Sequence, residues 1–343
     1  MPMKSADRRF FLCGTAAALA APAFAPAQAA EQTPATLEPL GICLEGLPYP
    51  GPIKFLPVEM AGEKLRLAYM DFAPDSPANG RAILLLHGKN FDSTNWAGPI
   101  AFLRRAGFRV VVPDQIGFNK SSKPLAEYRF EALAGHTLAL ADSLGLKQFA
   151  LLGHSTGGML ATRLAAMHPE RVSHLLLEDP IGLVDYAKFI PRPTLDSLET
   201  AEAAYDEASY RAFVARYFPK LPPAEYEPFV RTRMRLTLSG DYLRFLRVVC
   251  LTYFMIYDGP VRDVFAHLPM PVLLMAGDRD KTTPFLSYAA PEMRVKIPPL
   301  FEAAREVARE IPHGRHVEFA GIGHVPHLEA PAEFEKAVLD FLG

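Results

Sequence analysis

In the stretch FALLGHSTGGMLATRLAAMHP, residues 149–169, Ser155 stands between Gly153 and Gly157 in a G-x-S-x-G spacing. A serine hydroxyl is a weak nucleophile until a base takes its proton and an acid orients that base. The spacing alone is unspecific, and its flanks give it weight. The apolar run FALL precedes it and a segment with helical periodicity follows, so a strand is expected to turn sharply into a helix. Such a turn lifts the hydroxyl clear of the backbone beside the positive helix N-terminus. Side chains at the two glycine positions would collide with neighbouring backbone. His154, inside the turn, is expected to point away from the attack path and to form part of the site wall.

Ten histidines compete for the role of base. His324, in GIGHVPHLEAP, follows the last apolar strand and precedes the last helix, and His327 is its nearest rival. His136, His168, His174 and His267 lie inside or at the edges of elements and read as structural or solvated, and His313 and His316 as surface positions. For the acid, AGDRDKTTP offers Asp278 and Asp280 after the strand PVLLM. Asp280 is preferred because it comes later in the loop, where a turn carries it towards the histidine. LLLEDP supplies the rivals Glu178 and Asp179, with Asp179 expected to line the site. Acyl chemistry also needs two backbone N–H groups for the developing oxyanion. Thr156 provides one, and the loop HGKNF the other, assigned to Lys89, with Asn90 and Phe91 lining the site beside it. The Lys89 side chain is either solvated or directed at a substrate carboxylate. No metal-ligand spacing of Cys and His occurs, and this chemistry requires neither metal nor cofactor.

The elements that must carry these groups can be read from periodicity. EKLRLAYMDFAP alternates, whereas RAILLLHG, FRVVVPD, FALLGHS, VSHLLLED and PVLLMAGDRD are short apolar runs, and RHVEFAGIGH repeats the type. Helical spacing covers 96–106, 130–144, 157–167, 300–311 and 331–342. The expectation is an α/β fold with a mostly parallel central sheet covered on both faces, built from 53–181 and 265–343. Between them, 182–264 has no convincing strand and three aromatic-rich helical stretches, read as an inserted cap. Most cap aromatics should be packing residues, with Tyr253 and Tyr257 as pocket candidates. Arg231, Arg233 and Arg235 read as a solvated face.

The first residues look like an address and not fold. Lys4, Arg8 and Arg9 precede an apolar run too short and too dilute to span a membrane, and Ala27-Gln28-Ala29 forms a small-residue cleavage pattern, so 1–29 is expected to be a secretory signal. ADRRFFL resembles the twin-arginine type, which implies periplasmic delivery. Residues 30–52, rich in proline, are expected to be an extended leader. A formal charge of −2 offers no field for nucleic acid or an anionic membrane, leaving a small molecule as the expected partner. Processing would leave Cys43 and Cys250, expected to be two separate thiols with Cys250 buried.

Taken together these motifs resemble the α/β-hydrolase family, in particular its members with a helical cap, over residues 55–342. HGKNF is similar to the family's oxyanion loop, PDQIGFNKSSKP to its D-x-x-G-x-G-x-S segment, GHSTGG to its nucleophile elbow, and the last two loops to its acid and histidine loops. The resemblance implies a triad in the chain order Ser155, Asp280, His324. Departures are Asn119 in place of the second glycine of the D-x-x-G-x-G segment, and Lys89 and Asn90 where an aromatic and a proline are common. A serine at the elbow sets aside the epoxide hydrolases and haloalkane dehalogenases, which use a carboxylate there. The expected activity is hydrolysis of an ester or related acyl bond of a small to medium apolar substrate. The alternatives are an aminopeptidase, a carbon–carbon hydrolase or a cofactor-free perhydrolase with the same triad, and, from another class, a non-catalytic ligand receptor.

Overall fold

A computed structural model describes residues 37–343. The expected signal, the twin-arginine stretch and the cleavage site lie outside the described residues. The eight strands are β1 (Lys54–Met60), β2 (Glu63–Phe72), β3 (Ala82–Leu86), β4 (Arg109–Asp114), β5 (Phe149–His154), β6 (Val172–Glu178), β7 (Val272–Gly277) and β8 (Gly314–Phe319). They form one sheet in the order β1-β2-β4-β3-β5-β6-β7-β8. β1–β2 and β2–β4 pair antiparallel and all later neighbours pair parallel.

The helices between the strands are α1 (Ala97–Arg105), α2 (Phe130–Ser143) and α3 (Thr156–Met167). After β6 come α4 (Leu195–Ala203), α5 (Glu207–Ala215), α6 (Pro223–Thr237) and α7 (Tyr242–Asp258). α8 (Pro291–Arg294), α9 (Leu300–Glu310), α10 (Pro326–Glu329) and α11 (Pro331–Leu342) follow β7. The central strands are apolar throughout because both faces are covered, with β3, β5 and β7 buried at every residue. Successive side chains alternate between two cores. Ile83, Leu85, Val110, Val112, Leu152 and Leu273 pack with Trp96, Leu103 and Phe334 on one face. Leu84, Leu86, Val111, Leu151, Leu175 and Leu274 pack with Leu133, Leu160 and Val307 on the other.

Strand order decides where a ligand can sit. From β3 the chain moves outward through α1 to β4, then returns across β3 to β5 and continues in the opposite direction. The loops leaving β3 and β5 therefore part company at adjacent strand ends, which opens a crevice at the carboxyl edge of the sheet. The loop after β3 contains Lys89 and the turn after β5 contains Ser155.

Helices α5 and α6 and the connection between them carry a separate aromatic cluster. Tyr210, Tyr217, Phe218, Tyr226 and Val230 pack with Phe91 of the β3 loop and Val325 of the β8 loop. The amino-terminal segment differs from the expected extended leader. From Leu37 it makes two tight turns, Leu40 and Leu44 are buried with Leu236 of α6, and the Leu40 N–H donates to the Arg235 carbonyl at 3.1 Å. Apolar residues alternating with glycine in LGICLEGL give it a face to bury, which the prolines around it obscure. Cys43 and Cys250 are both free thiols, Cys250 buried. Among the described residues no helix is long and apolar enough to cross a membrane.

Candidate active site

Ser155 occupies φ 54°, ψ −117°, a left-handed conformation that costs a β-carbon residue roughly 1–3 kcal/mol. The strain is held from both sides, the Ser155 N–H donating to the Glu178 carbonyl at 3.0 Å and the Ser155 carbonyl accepting from the Gly158 N–H at 2.9 Å. A β-carbon at Gly157 would collide with the carbonyl oxygens of Leu86 and His87, and one at Gly153 with the Gly157 carbonyl. The first turn of α3 thus sits hard against the end of β3, bringing the Ser155 turn and the loop after β3 together.

His324 Nδ1 lies 2.7 Å from Asp280 Oδ2, and Asp280 Oδ1 accepts the Thr282 N–H at 2.8 Å. Burial alone would raise the Asp280 carboxyl. The His324 imidazole and the Thr282 hydrogen bonds outweigh burial and hold it below the usual carboxylate range, so it stays ionised beside the ring. With Nδ1 engaged, the ring turns Nε2 away from Asp280. The Ser155 hydroxyl and His324 Nε2 make no hydrogen bond to any described residue. Two of the rivals considered for these roles, His327 and Glu178, pair with each other. His327 Nδ1 lies 2.8 Å from both Glu178 oxygens, its N–H also donates to Glu178 at 2.8 Å, and Trp96 stacks on its ring at 4.6 Å. Burial would raise Glu178, and His327 with His154 holds it low. Both members are fully buried, so this second pair fastens β6 to the histidine loop and meets no substrate.

Three residues expected at the site wall stand elsewhere. His154 is 0 % exposed. It bonds through Nε2 to the His324 carbonyl at 2.8 Å, with Nδ1 buried and unpartnered. Burial lowers its pKa to about 3, consistent with a neutral ring donating from Nε2. Its role is to hold the backbone of the histidine loop from beneath. Asp179 is likewise fully buried, in a left-handed conformation (φ 39°), and accepts the Gly277 N–H at 3.0 Å. Burial, then repulsion from Asp280 and Glu178, raises its carboxyl well above the ordinary value. Tyr257 donates to the Ile190 carbonyl at 2.6 Å and packs edge-on against Phe285. Tyr253 lies under the Lys89 ammonium, 3.9 Å from the ring centroid, and donates to Glu202 at 3.1 Å.

The loop after β3 is oriented by His87. Its Nδ1 lies 2.7 Å from the Gly88 carbonyl and its Nε2 accepts the Gln115 N–H at 3.0 Å, which makes Nδ1 the donor. Across a trans peptide the next N–H points opposite the carbonyl, so fixing Gly88 O directs the Lys89 N–H to the other side. Neither Lys89 nor Thr156 spends its backbone N–H on a described acceptor. Asn119, the departure from glycine, adopts φ 45°, a region asparagine tolerates, and its amide donates to Asp114 at 3.2 Å.

Beside this loop lies a cavity of about 80 Å³, walled by Lys89, Asn90, Phe91, Phe118 and residues of α4 to α7. Asn90 donates to the Tyr217 hydroxyl at 3.0 Å, and the Tyr217 ring stacks on His324 at 4.9 Å while its carbonyl accepts the His324 N–H at 2.9 Å. Arg233, expected on a solvated face, is 6 % exposed and faces this cavity, paired with Glu202 at 2.9 Å. Its place three residues after Val230 and seven after Tyr226 on the buried stripe of α6 was the available signal. Tyr217 carried no signal beyond its aromatic ring. Among the described residues, Asp179, Asp280 and His324 bring possible cation ligands within 4.8 Å of one another. There the Asp280–His324 hydrogen bond already occupies two of the three donors.

A family profile described as "alpha/beta hydrolase fold" matches residues 81–331. A probable hydrolytic enzyme from Pseudomonas aeruginosa PAO1 has a similar structure, with a TM-score of 0.86 and 35% identity, covering 90% of this chain and 99% of that one. An enol-lactonase from Burkholderia xenovorans LB400 shares the fold at a TM-score of 0.61 and 24% identity, covering 81% and 96%. In sequence, the chain is 27% identical over 284 residues to a proline iminopeptidase of Lactobacillus delbrueckii subsp. bulgaricus, 76% of this chain and 89% of that protein.

Proposed function

The chain belongs to the α/β-hydrolase family, and from that premise we propose that it is a serine hydrolase cleaving an ester or related acyl bond through Ser155, His324 and Asp280. The observation that carries this reading is the 2.7 Å contact of His324 with an ionised Asp280, together with a strained Ser155 at an elbow whose neighbouring His154 bonds the His324 carbonyl at 2.8 Å. Ser155 Oγ attacks the carbonyl carbon while His324 Nε2 takes its proton, and Asp280 stabilises the imidazolium that forms. The tetrahedral oxyanion is met by the N–H groups of Thr156 and Lys89. His324 then gives the proton to the leaving oxygen, an acyl-serine forms, and water repeats the sequence to release the acid.

The test is labelling by a fluorophosphonate together with hydrolysis of short nitrophenyl esters. Ser155→Ala is expected to abolish labelling and to lower turnover by about 10⁶-fold, whereas a tenfold loss would overturn the assignment. The likeness to a proline iminopeptidase favours a second reading, cleavage of an amino-terminal residue. That activity needs a carboxylate free to hold the substrate ammonium, and Glu202 in the cavity is already engaged by Arg233 and Tyr253. Prolyl nitroanilide turned over faster than any ester would establish the peptidase instead. Periplasmic delivery belongs to the same proposal. Replacing Arg8 and Arg9 by lysine is expected to retain the precursor in the cytoplasm, read by cell fractionation.

A further inference from the structure

The cavity beside the oxyanion loop has an apolar wall and an unbalanced set of charges. Lys89 enters from the β3 loop, Arg233 from α6 and Glu202 from α4. Glu202 pairs with Arg233 and accepts the Tyr253 hydroxyl. Lys89 Nζ donates to the Val249 carbonyl at 2.7 Å and to the Thr252 hydroxyl, and among the described residues it faces no carboxylate at ion-pair distance. Arg233 commits one nitrogen, Nη2, to Glu202, and its buried Nε has no partner. Asp92 also borders the cavity, but its carboxyl is occupied by the Thr94 N–H and bears on neither cation. Two cations thus share one anion in a space ringed by Phe91, Phe213, Phe229 and Phe245.

Buried charge left in that ratio is costly unless a further anion completes it. Burial first, and the neighbouring Arg233 next, lower the Lys89 pKa to about 7 against the pull of Glu202, which is the response of an ammonium lacking a counter-ion. We propose that this cavity is a carboxylate-binding subsite, in which Arg233 and the Lys89 ammonium hold a negatively charged end of the substrate. The proposal rests on the hydrolase reading, because Lys89 then serves both ends of one molecule. Its backbone N–H meets the reacting carbonyl and its side chain meets the carboxylate. A lysine stem spans about 6 Å, so the two groups of the substrate are separated by roughly four to six carbons. The substrate class is an ester of a short dicarboxylic acid, or an ester whose alcohol part carries a carboxylate at similar reach.

The experiment compares matched esters that differ only in terminal charge. Mono-4-nitrophenyl adipate against 4-nitrophenyl hexanoate places the charge on the acyl side. The hexanoyl ester of 4-hydroxybutyrate against butyl hexanoate places it on the alcohol side. Tenfold or greater preference in kcat/KM for the anionic member of one pair is expected, and the preferred pair identifies the side. The double variant Arg233→Gln, Glu202→Gln, which removes both members of the ion pair together, and Lys89→Met are each expected to bring that ratio towards one, whereas Arg233→Lys should preserve part of it. A ratio near one in the wild type, or a ratio untouched in both neutralised variants, overturns the proposal. Binding supplies an independent readout in Ser155→Ala. Monomethyl adipate should raise its Tm and methyl hexanoate should not, and equal shifts overturn the subsite. If no ester is turned over while that selective shift persists, the hydrolase reading fails and the subsite stands.

Discussion

At the scale of single residues, two acid–histidine pairs stand near each other, and they should respond oppositely to the same chemical change. Asp280→Asn keeps the shape beside His324 but removes the charge that stabilises the imidazolium and favours the wrong tautomer. A loss of about 10⁴-fold in kcat is expected with little change in Tm. Glu178→Gln disturbs the carboxylate that meets both the His327 backbone N–H and its ring Nδ1 in a fully buried place, so stability should fall by about 1–3 kcal/mol in denaturant titration while kcat on folded protein is largely kept. His154 supplies a pH test. Its pKa is lowered by burial from an ordinary 6.5 to about 3, so the unfolded chain takes up a proton in a range where the folded chain does not. The stability it contributes is present in full above pH 6.5 and is lost as pH falls towards 3. The Tm difference between wild type and His154→Gln should therefore shrink from pH 7 to pH 4. A difference that stays constant would show that the ring takes up its proton as readily in the folded chain as in the unfolded one.

At the scale of elements, the elbow depends on how closely α3 approaches β3. Gly157→Ala drives a methyl group into two carbonyl oxygens that belong to the sheet and cannot retreat, and loss of soluble folded protein is expected. Gly98, in the exposed part of α1, has nothing within 4 Å of a would-be β-carbon, and Gly98→Ala should stabilise by about 0.5–1 kcal/mol, measured by thermal unfolding. A second fastening joins the α5–α6 connection to the histidine loop, beside the Tyr217 carbonyl that receives the His324 N–H. Glu329 of α10 accepts the N–H groups of Lys220, Leu221 and Gly323, at 2.8, 3.1 and 2.6 Å. Three backbone donors converging on one carboxylate leave the α5–α6 connection with little freedom.

At the scale of the whole molecule, the sheet was legible because each central strand is an unbroken apolar run and each following helix has its own stripe. Mostly parallel strands with covered faces then follow from burial alone. Ser155 could be named from its flanks. Choosing His324 over His327, and Asp280 over Asp278, rested on where each falls in its loop, and His324 and Asp280 stand in contact. The interior of the cap could not be read in the same way. Alternating arginines at 231, 233 and 235 have the composition of a solvated face, and only helical phase distinguishes Arg233, which shares the buried stripe of Val230 and Met234, from its neighbours. Proline density similarly hid the docking of Leu40 and Leu44. Because Ile42 and Leu44 also border the cavity, a chain beginning at Gly51 should have a lower Tm and a looser choice of acyl length than one beginning at Leu37.

The Tyr217 carbonyl that receives the His324 N–H, and the Tyr217 ring that covers its imidazole, make the roof and the proposed base parts of one assembly. Grafting a foreign cap to change what the enzyme accepts would also retune how fast it reacts, since the graft would bring a different neighbour to the base. Variation in specificity and variation in rate are therefore inherited together in this scaffold, and a library that diversifies α5 while holding Tyr217 constant is the way to separate them.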